Sequence, residues 1–132
     1  MTFQVKLENF QGPMDLLLYF IRRDELDIYD IPIAKITHEF IQVIEEWKRL
    51  NMIVAGGFID MASILMRIKA KLLIPRPEID EDGEIIDPRI ELMQKLIDYK
   101  RYRDAAGMLG SLADQKSQNF SRQFNQILPR SN

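Results

Sequence analysis

Apolar residues recur at intervals of three and four along most of this chain, which is the spacing that places them on one side of an α-helix. The pattern predicts four helices, at about residues 13–23, 31–50, 58–74 and 88–113. Pro13 and Pro88 each stand where a first helical turn would begin, a position that favours proline. The sequence therefore predicts an all-α protein built around a small helical bundle.

The first ten residues follow a different pattern, because apolar and polar residues alternate there. Phe3, Val5 and Leu7 are separated by polar neighbours, as in a β-strand. No second strand is predicted that could pair with this one, and an isolated strand is not stable. We therefore expect residues 1–10 to form an extended N-terminal arm.

The third predicted helix, residues 58–74, carries more apolar surface than one neighbour can cover. The polar side chains that share a side are Asp60, Ser63, Arg67 and Lys71, and they occupy an arc of roughly 80°. A helix that packs on one neighbour needs an apolar stripe only somewhat wider than ~100°, and this helix has about twice that. We expect the excess to be covered by a partner protein, by a second copy of the chain or by a further part of the same chain.

The segment between the third and fourth predicted helices is acidic and rich in turn-forming residues. Residues 76–88 contain one basic and six acidic side chains, together with Pro77, Gly83 and Pro88. Such a composition is typical of an exposed linker. We therefore expect an N-terminal helical domain at residues 1–75, a linker at 76–88, and a further helix with a tail at 89–132.

Composition excludes several classes of protein. Of the 132 residues, 46% are hydrophobic and 29% are charged, as in ordinary globular domains. The net charge of −2 gives no basic excess of the kind expected for a general duplex-binding protein. The absence of cysteine excludes disulfides, thiolate metal sites and cysteine nucleophiles. No signal-peptide core and no apolar stretch of membrane-spanning length is present, so we expect a cytoplasmic protein without a membrane partner.

The candidate catalytic and ligand-binding residues do not combine into a known type of active site. His38 is the only histidine, so the two-histidine zinc motif of metalloproteases is absent. The acidic run at residues 80–84 is an incomplete calcium loop. Gly56-Gly57 lacks the residues that complete a phosphate-binding loop. We therefore expect a non-enzymatic protein without a metal or a cofactor.

Two groups of side chains leave a choice between protein and nucleic acid as the partner. Arg67, Lys69 and Lys71 form a basic cluster that could contact phosphates, although a cationic rim around an apolar interface is the favoured interpretation. In the tail, Phe120 and Phe124 could stack on bases, but with few cations beside them docking onto a protein is favoured. A small helical nucleic-acid-binding module is therefore the alternative hypothesis, and a self-associating structural protein is a second.

Four stretches of the sequence resemble, in consistent order, the bacterial kleisin family of segregation and condensation protein A (ScpA). They are residues 10–22 (FQGPMDLLLYFIR), 27–37 (DIYDIPIAKIT), 61–75 (MASILMRIKAKLLIP) and 87–106, in which DPR precedes LIDYKRYRDAA. The similarity runs from about residue 3 to residue 106, which makes it far more specific than one short motif. Members of the family usually continue into a C-terminal winged-helix domain, which we do not expect within these 132 residues.

The resemblance implies an adaptor of the bacterial SMC condensin complex, located in the cytoplasm at the nucleoid and touching DNA only indirectly. In this family the N-terminal helical domain binds the SMC neck, the coiled coil next to the ATPase head. For that contact we expect Ile59, Met66 and Leu73. Phe58, Leu65 and Leu72 would then serve the internal bundle, although the pattern alone leaves open which apolar side faces inward.

The resemblance also implies a second protein partner. The middle segment of the family wraps around a dimer of the companion subunit ScpB. Here the aromatic and apolar residues of the fourth helix and the tail would take that role: Tyr99, Tyr102, Phe120, Phe124, Ile127 and Leu128.

Overall fold

Four α-helices make up most of the computed structural model, which describes residues 6–127 and the side-chain surroundings of residues 6–117. The helices are α1 at Pro13–Arg23, α2 at Ile33–Arg49, α3 at Gly56–Leu72 and α4 at Ile90–Ile127. The described residues contain no β-strand, only a single bridge between Ile79 and Ile85. The predicted all-α class is therefore confirmed.

The chain forms two compact units, and the boundary between them falls between Ile97 and Asp98. Helices α1, α2 and α3 and the first turns of α4 belong to the first unit, and the remainder of α4 belongs to the second. The division into residues 1–75, 76–88 and 89–132 stays a prediction.

An aromatic and aliphatic core holds α1, α2 and α3 together within the first unit. The largest fully buried side chains are Trp47, Phe20, Phe40, Leu16, Leu17, Ile31, Ile36 and Leu65. The ring of Trp47 on α2 meets the ring of Phe58 on α3 edge-on, with 5.4 Å between their centroids. Full burial of one large apolar side chain contributes about 1.5–3 kcal/mol to stability. The core therefore fixes α3 from one side by contacts with α1 and α2.

The predicted extended arm is wrong for the part of it that the structure describes. Leu7–Asn9 form a short 3-10 helix rather than an extended segment. The following Phe10 ring lies against Tyr19 and Trp47, with centroid distances of 5.7 and 6.3 Å. These aromatic contacts hold the chain against the bundle and favour a turn over an arm. Residues 1–5 lie outside the described residues.

Helix α4 continues well past the predicted end at residue 113 and reaches Ile127. Gly107 and Gly110 lie inside it. A glycine in a helix interior costs about 1 kcal/mol relative to alanine, which weakens a helix without ending it. At the other end, Asp87 Oδ1 accepts the backbone N–H of Arg89 at 2.9 Å, in the turn that leads into α4 at Ile90.

Residues 76–86 are exposed, and part of this segment folds into a tight acidic turn. Asp80 Oδ1 accepts the backbone N–H groups of Asp82 and Glu84, each at 2.9 Å. Gly83 has a φ of +79°, a left-handed conformation that glycine adopts without strain. The segment therefore has a local structure of its own.

Candidate protein-interaction surfaces

One side of α3 is buried in the core of the first unit. Phe58, Met61, Leu65 and Ile68 are spaced by three and four residues and are all buried. Phe58 and Leu65 thus lie inside the bundle, as expected from the sequence. The expectation that Leu72 also packs inside is wrong, because this side chain is exposed. Leu72 is the last residue of α3, where the exposed segment begins.

A second stripe of α3 lies away from this core. Ile59, Met66 and Leu73, the residue that directly follows α3 and keeps a helical backbone conformation, have exposed fractions of 38, 55 and 75%. Ser63 and Ala70 lie between them on the same side of the helix. We call these five residues the α3 seam. Their spacing alternates between four and three residues, which is the interval at which one helix of a coiled coil contacts another. The seam thus combines exposure with the periodicity of a coiled-coil contact.

The two small residues of the α3 seam can be covered at little cost. The Ser63 hydroxyl donates to the Ile59 carbonyl oxygen at 3.3 Å, so it has a partner within its own helix. Covering it by a partner protein would therefore leave no unsatisfied donor. Ala70 carries only a methyl group. A second helix can approach closely at both positions, between the larger side chains of the seam.

Two exposed cations flank the α3 seam. At 100° per residue, Arg67 and Lys69 lie about 80° to either side of it. These are the positions that form ion pairs between helices in a coiled coil. Lys71, the third member of the predicted basic cluster, lies further round on the Arg67 side and pairs with Glu78 at 3.5 Å. The cluster is therefore divided between the two flanks.

A cleft of about 240 Å³ opens beside the end of α3. Its apolar lining consists of Leu72, Ile74, Pro77, Ile85, Ile86 and Pro88. Ile85 and Ile86 come from the segment that the sequence pattern predicts only as a linker. Two adjacent isoleucines in an otherwise acidic run are the signal from which a packed turn could have been predicted.

Arg89 joins the start of α4 to the connection between α1 and α2. Its guanidinium donates to Asp30 Oδ1 at 2.7 Å and to the Ile31 carbonyl oxygen at 2.9 Å. The same group donates to the Asp87 carboxylate at 2.8 Å, which lowers the pKa of Asp87 and raises the pKa of Arg89. We call this arrangement the Arg89 clasp. The sequence pattern assigns no role to Arg89, although two of the four resembling stretches meet here.

The second unit presents an exposed helix surface. From residue 98 to residue 117 every side chain of α4 except half-buried Tyr99 is exposed. Tyr102, one of the predicted ScpB-binding residues, is 71% exposed. The large apolar side chains that were not predicted here are Met108, Leu109 and Leu112. Tyr102, Ala106, Leu109 and Ala113 repeat the four-three spacing of the α3 seam, and we call them the α4 stripe.

The remaining predicted ScpB-binding residues lie at the end of the described chain. The backbone of α4 includes three of them, Phe120, Phe124 and Ile127, whose side chains are outside the described set. Leu128 is outside it altogether. Their proposed role stays a prediction.

The described part of the chain offers neither a metal site nor a membrane-spanning helix. Residues 6–127 contain no group of three or more His, Cys, Asp or Glu side chains placed to hold a metal ion. His38 is exposed on α2. None of the described helices is both long and apolar enough to span a bilayer. The exposed apolar stripes of α3 and α4 are therefore the features that call for a functional explanation.

Comparison with known proteins identifies the family. A family model described as segregation and condensation protein ScpA matches residues 20–128. The segregation and condensation protein A of Lactiplantibacillus plantarum is 43% identical over 122 residues, which cover 90% of this chain and 48% of that protein. The protein of the same name from Brevibacillus brevis is 40% identical over 136 residues, with 98 and 54% covered. That of Bacillus subtilis is 41% identical over 124 residues, with 91 and 49% covered.

The chain spans about half the length of the curated relatives it matches. The matched residues include α2, α3 and α4 in full, and hence both exposed stripes. The family is one of proteins for chromosome segregation and condensation. By sequence, this chain belongs to the segregation and condensation protein A family.

Proposed function

We propose that this chain is a non-enzymatic kleisin adaptor that links the neck of the SMC ATPase to a dimer of ScpB during chromosome condensation and segregation. The α3 seam carries the proposal, because it is exposed on a helix whose other side already packs in the core. The resemblance to the kleisin family, whose N-terminal domain binds the SMC neck, supports this choice of partner. The neck is a coiled coil, and the seam has the spacing of one.

The proposal accounts for the excess apolar surface of α3. Phe58 and Leu65 serve the bundle, while Ile59, Met66 and Leu73 would serve the neck. Covering these three side chains removes apolar surface from water at about 25 cal/mol per Å², which favours association.

The second contact of the adaptor would use α4. The α4 stripe supports it, together with half-buried Tyr99 and the tail residues Phe120, Phe124, Ile127 and Leu128. In this role the chain works in the cytoplasm at the nucleoid and reaches DNA through the complex. It needs no cofactor, and ATP hydrolysis belongs to the SMC heads.

The substitution Met66→Glu tests the neck contact. It places a carboxylate at the centre of the α3 seam, where the neck would bury it without a partner at a cost of several kcal/mol. We expect the affinity for an SMC fragment with head and neck to fall by about 100-fold or more. Calorimetric titration measures the affinity. Helical content by circular dichroism should not change, because Met66 is exposed in the free chain.

Ile53→Glu is the matched control, since Ile53 is 92% exposed and precedes α3. It should change the affinity by less than about twofold, as substitutions on an uninvolved surface do. Unchanged affinity of Met66→Glu would exclude the seam as the contact. A stable homodimer that ignores the SMC fragment, seen by light scattering, would instead make the seam a self-association surface.

A further inference from the structure

We propose that the surface which receives the α3 seam is acidic, with Asp or Glu side chains on both sides of its apolar groove. The inference rests on the proposed function, but it concerns the charge of the partner and the way in which the complex forms. Arg67 and Lys69 carry it, one on each flank of the seam.

Both cations are available for a partner. Each is exposed, and neither forms an ion pair with another residue in the described part of the chain. Lys71, in contrast, is already paired with Glu78. A helix that packs on the seam would bring its own flanking positions opposite Arg67 and Lys69.

The charge of α3 differs from that of the whole chain. The chain has a net charge of −2, whereas α3 carries Arg67, Lys69 and Lys71 against one acidic residue, Asp60. Positive charge is thus concentrated beside the apolar surface. A cation that loses water at an interface is costly unless it meets an opposite charge, so a neutral or basic partner would be selected against.

Asp60 makes the two ends of the α3 surface differ in charge. It occupies the same flank as Arg67, two helical turns earlier. The acidic side chains of the partner should therefore concentrate opposite the C-terminal half of α3. A partner helix that runs the wrong way would bring them to Asp60, where like charges repel.

Nucleic acid is the other polyanion that these cations could attract. A phosphate backbone would pair with Arg67 and Lys69 but would leave Ile59, Met66 and Leu73 exposed to water. Because the cations enclose an apolar stripe, an acidic protein surface satisfies both features at once.

Association rates with the SMC head-and-neck fragment test the inference. Acidic complementarity steers encounter, so the wild-type rate should fall by about tenfold between 50 and 300 mM salt. Arg67→Glu and Lys69→Glu should each lower the rate at low salt by about three- to tenfold, and Asp60→Asn should raise it by about twofold. Stopped-flow mixing measures these rates.

Lys48→Glu is the control, because Lys48 is an exposed cation in the last turn of α2, as Lys69 is in α3. It makes the same change in net charge and in helix-end electrostatics, and the rate should stay within about twofold of wild type. Larger losses for Arg67→Glu and Lys69→Glu than for this control would support the proposal.

The remaining outcomes separate two failures. Binding that is insensitive to salt, to Arg67→Glu and to Lys69→Glu overturns the acidic partner surface and leaves the adaptor function intact. Absence of binding at any salt concentration overturns both. Tight binding of a short DNA duplex by the chain alone, lost in Arg67→Glu and Lys69→Glu, would assign the cations to nucleic acid and overturn the inference.

Discussion

Thr37 on α2 is a buried residue whose side chain oxygen has no hydrogen-bond partner among the described residues. A buried hydroxyl without a partner loses its bonds to water on folding and gains nothing in return. Thr37→Val replaces it by a methyl group of nearly the same size. We expect the free energy of unfolding, measured by urea denaturation, to rise by about 1 kcal/mol.

Thr37→Ser separates the hydroxyl from the packing. This variant keeps the hydroxyl but removes the methyl group, so it should be less stable than wild type by about 1 kcal/mol. A less stable Thr37→Val protein would show that the hydroxyl is bonded in solution, for example to the carbonyl of the preceding helical turn.

Single residues also show what periodicity can and cannot predict. The spacing of Phe58, Leu65 and Leu72 places all three on one side of α3, and two of them are buried. Periodicity gives the angle of a side chain around the helix axis, but not the point along the axis where its neighbours end. Leu72 lies beyond that point, so its exposure could not be predicted from spacing.

Between elements, the Arg89 clasp makes a prediction about pH. The carboxylate of Asp87 has a lowered pKa because Arg89 donates hydrogen bonds to it. Because the pKa of Asp87 is lowered in the folded state, the ion pair stabilises the fold at pH values above its ordinary pKa of 3.8. This stabilisation is lost as the pH falls through the lowered pKa. Asp87→Asn keeps a capping side chain but removes the charge.

We expect Asp87→Asn to lower the free energy of unfolding by about 1 kcal/mol at pH 7, with the difference from wild type shrinking below about pH 4. Urea denaturation at several pH values measures it. Glu45→Gln, on the exposed side of α2, serves as the control and should keep the free energy of unfolding at pH 7 within about 0.5 kcal/mol of wild type. A difference that persists at pH 2 would contradict an ionic role for the pair.

Among the elements, the existence of the helices could be predicted from the sequence better than their ends or the short 3-10 helix. The existence of four helices followed from apolar spacing, because each buries a stripe. The end of α4 could not be predicted in this way. Gly107 and Gly110 indicate a weak helix, and the described side chains beyond Ile97 are almost all exposed, so no pattern of burial marks where the helix ends. The 3-10 helix at Leu7–Asn9 depends on the contact of Phe10 with Trp47, which lies far along the sequence. Alternation alone could not reveal it.

For the whole molecule, the two exposed stripes belong to separate compact units and should act independently. Leu109→Glu, on the α4 stripe, should lower the affinity for a ScpB dimer by about 100-fold and leave SMC binding unchanged. Met66→Glu should lower the affinity for the SMC fragment and leave ScpB binding unchanged. Calorimetric titration of each variant with each partner measures both affinities.

The control for Leu109→Glu is Gln115→Glu, which adds the same charge on the other side of α4 and should keep ScpB binding. Loss of both partners by either apolar variant would show that the sites are coupled. The α4 stripe lies inside the helix predicted at residues 88–113, so its four-three spacing could have been found from the sequence. The charge expected of the surface that receives the α3 seam could be inferred only with the structure. The burial of the opposite side of α3 shows which side of the helix is exposed to a partner.

The alternation of large and small side chains along the α3 seam bears on how accurately the adaptor is positioned. A partner helix that slides by three or four residues would set its bulky side chains against Ile59, Met66 or Leu73 in place of Ser63 and Ala70. Sliding by a full heptad, about 10 Å, restores the match but strands one of the three large residues beyond the contact. A repeat this short has one good alignment with a partner helix. That alignment would hold the adaptor at one fixed distance from the ATPase head.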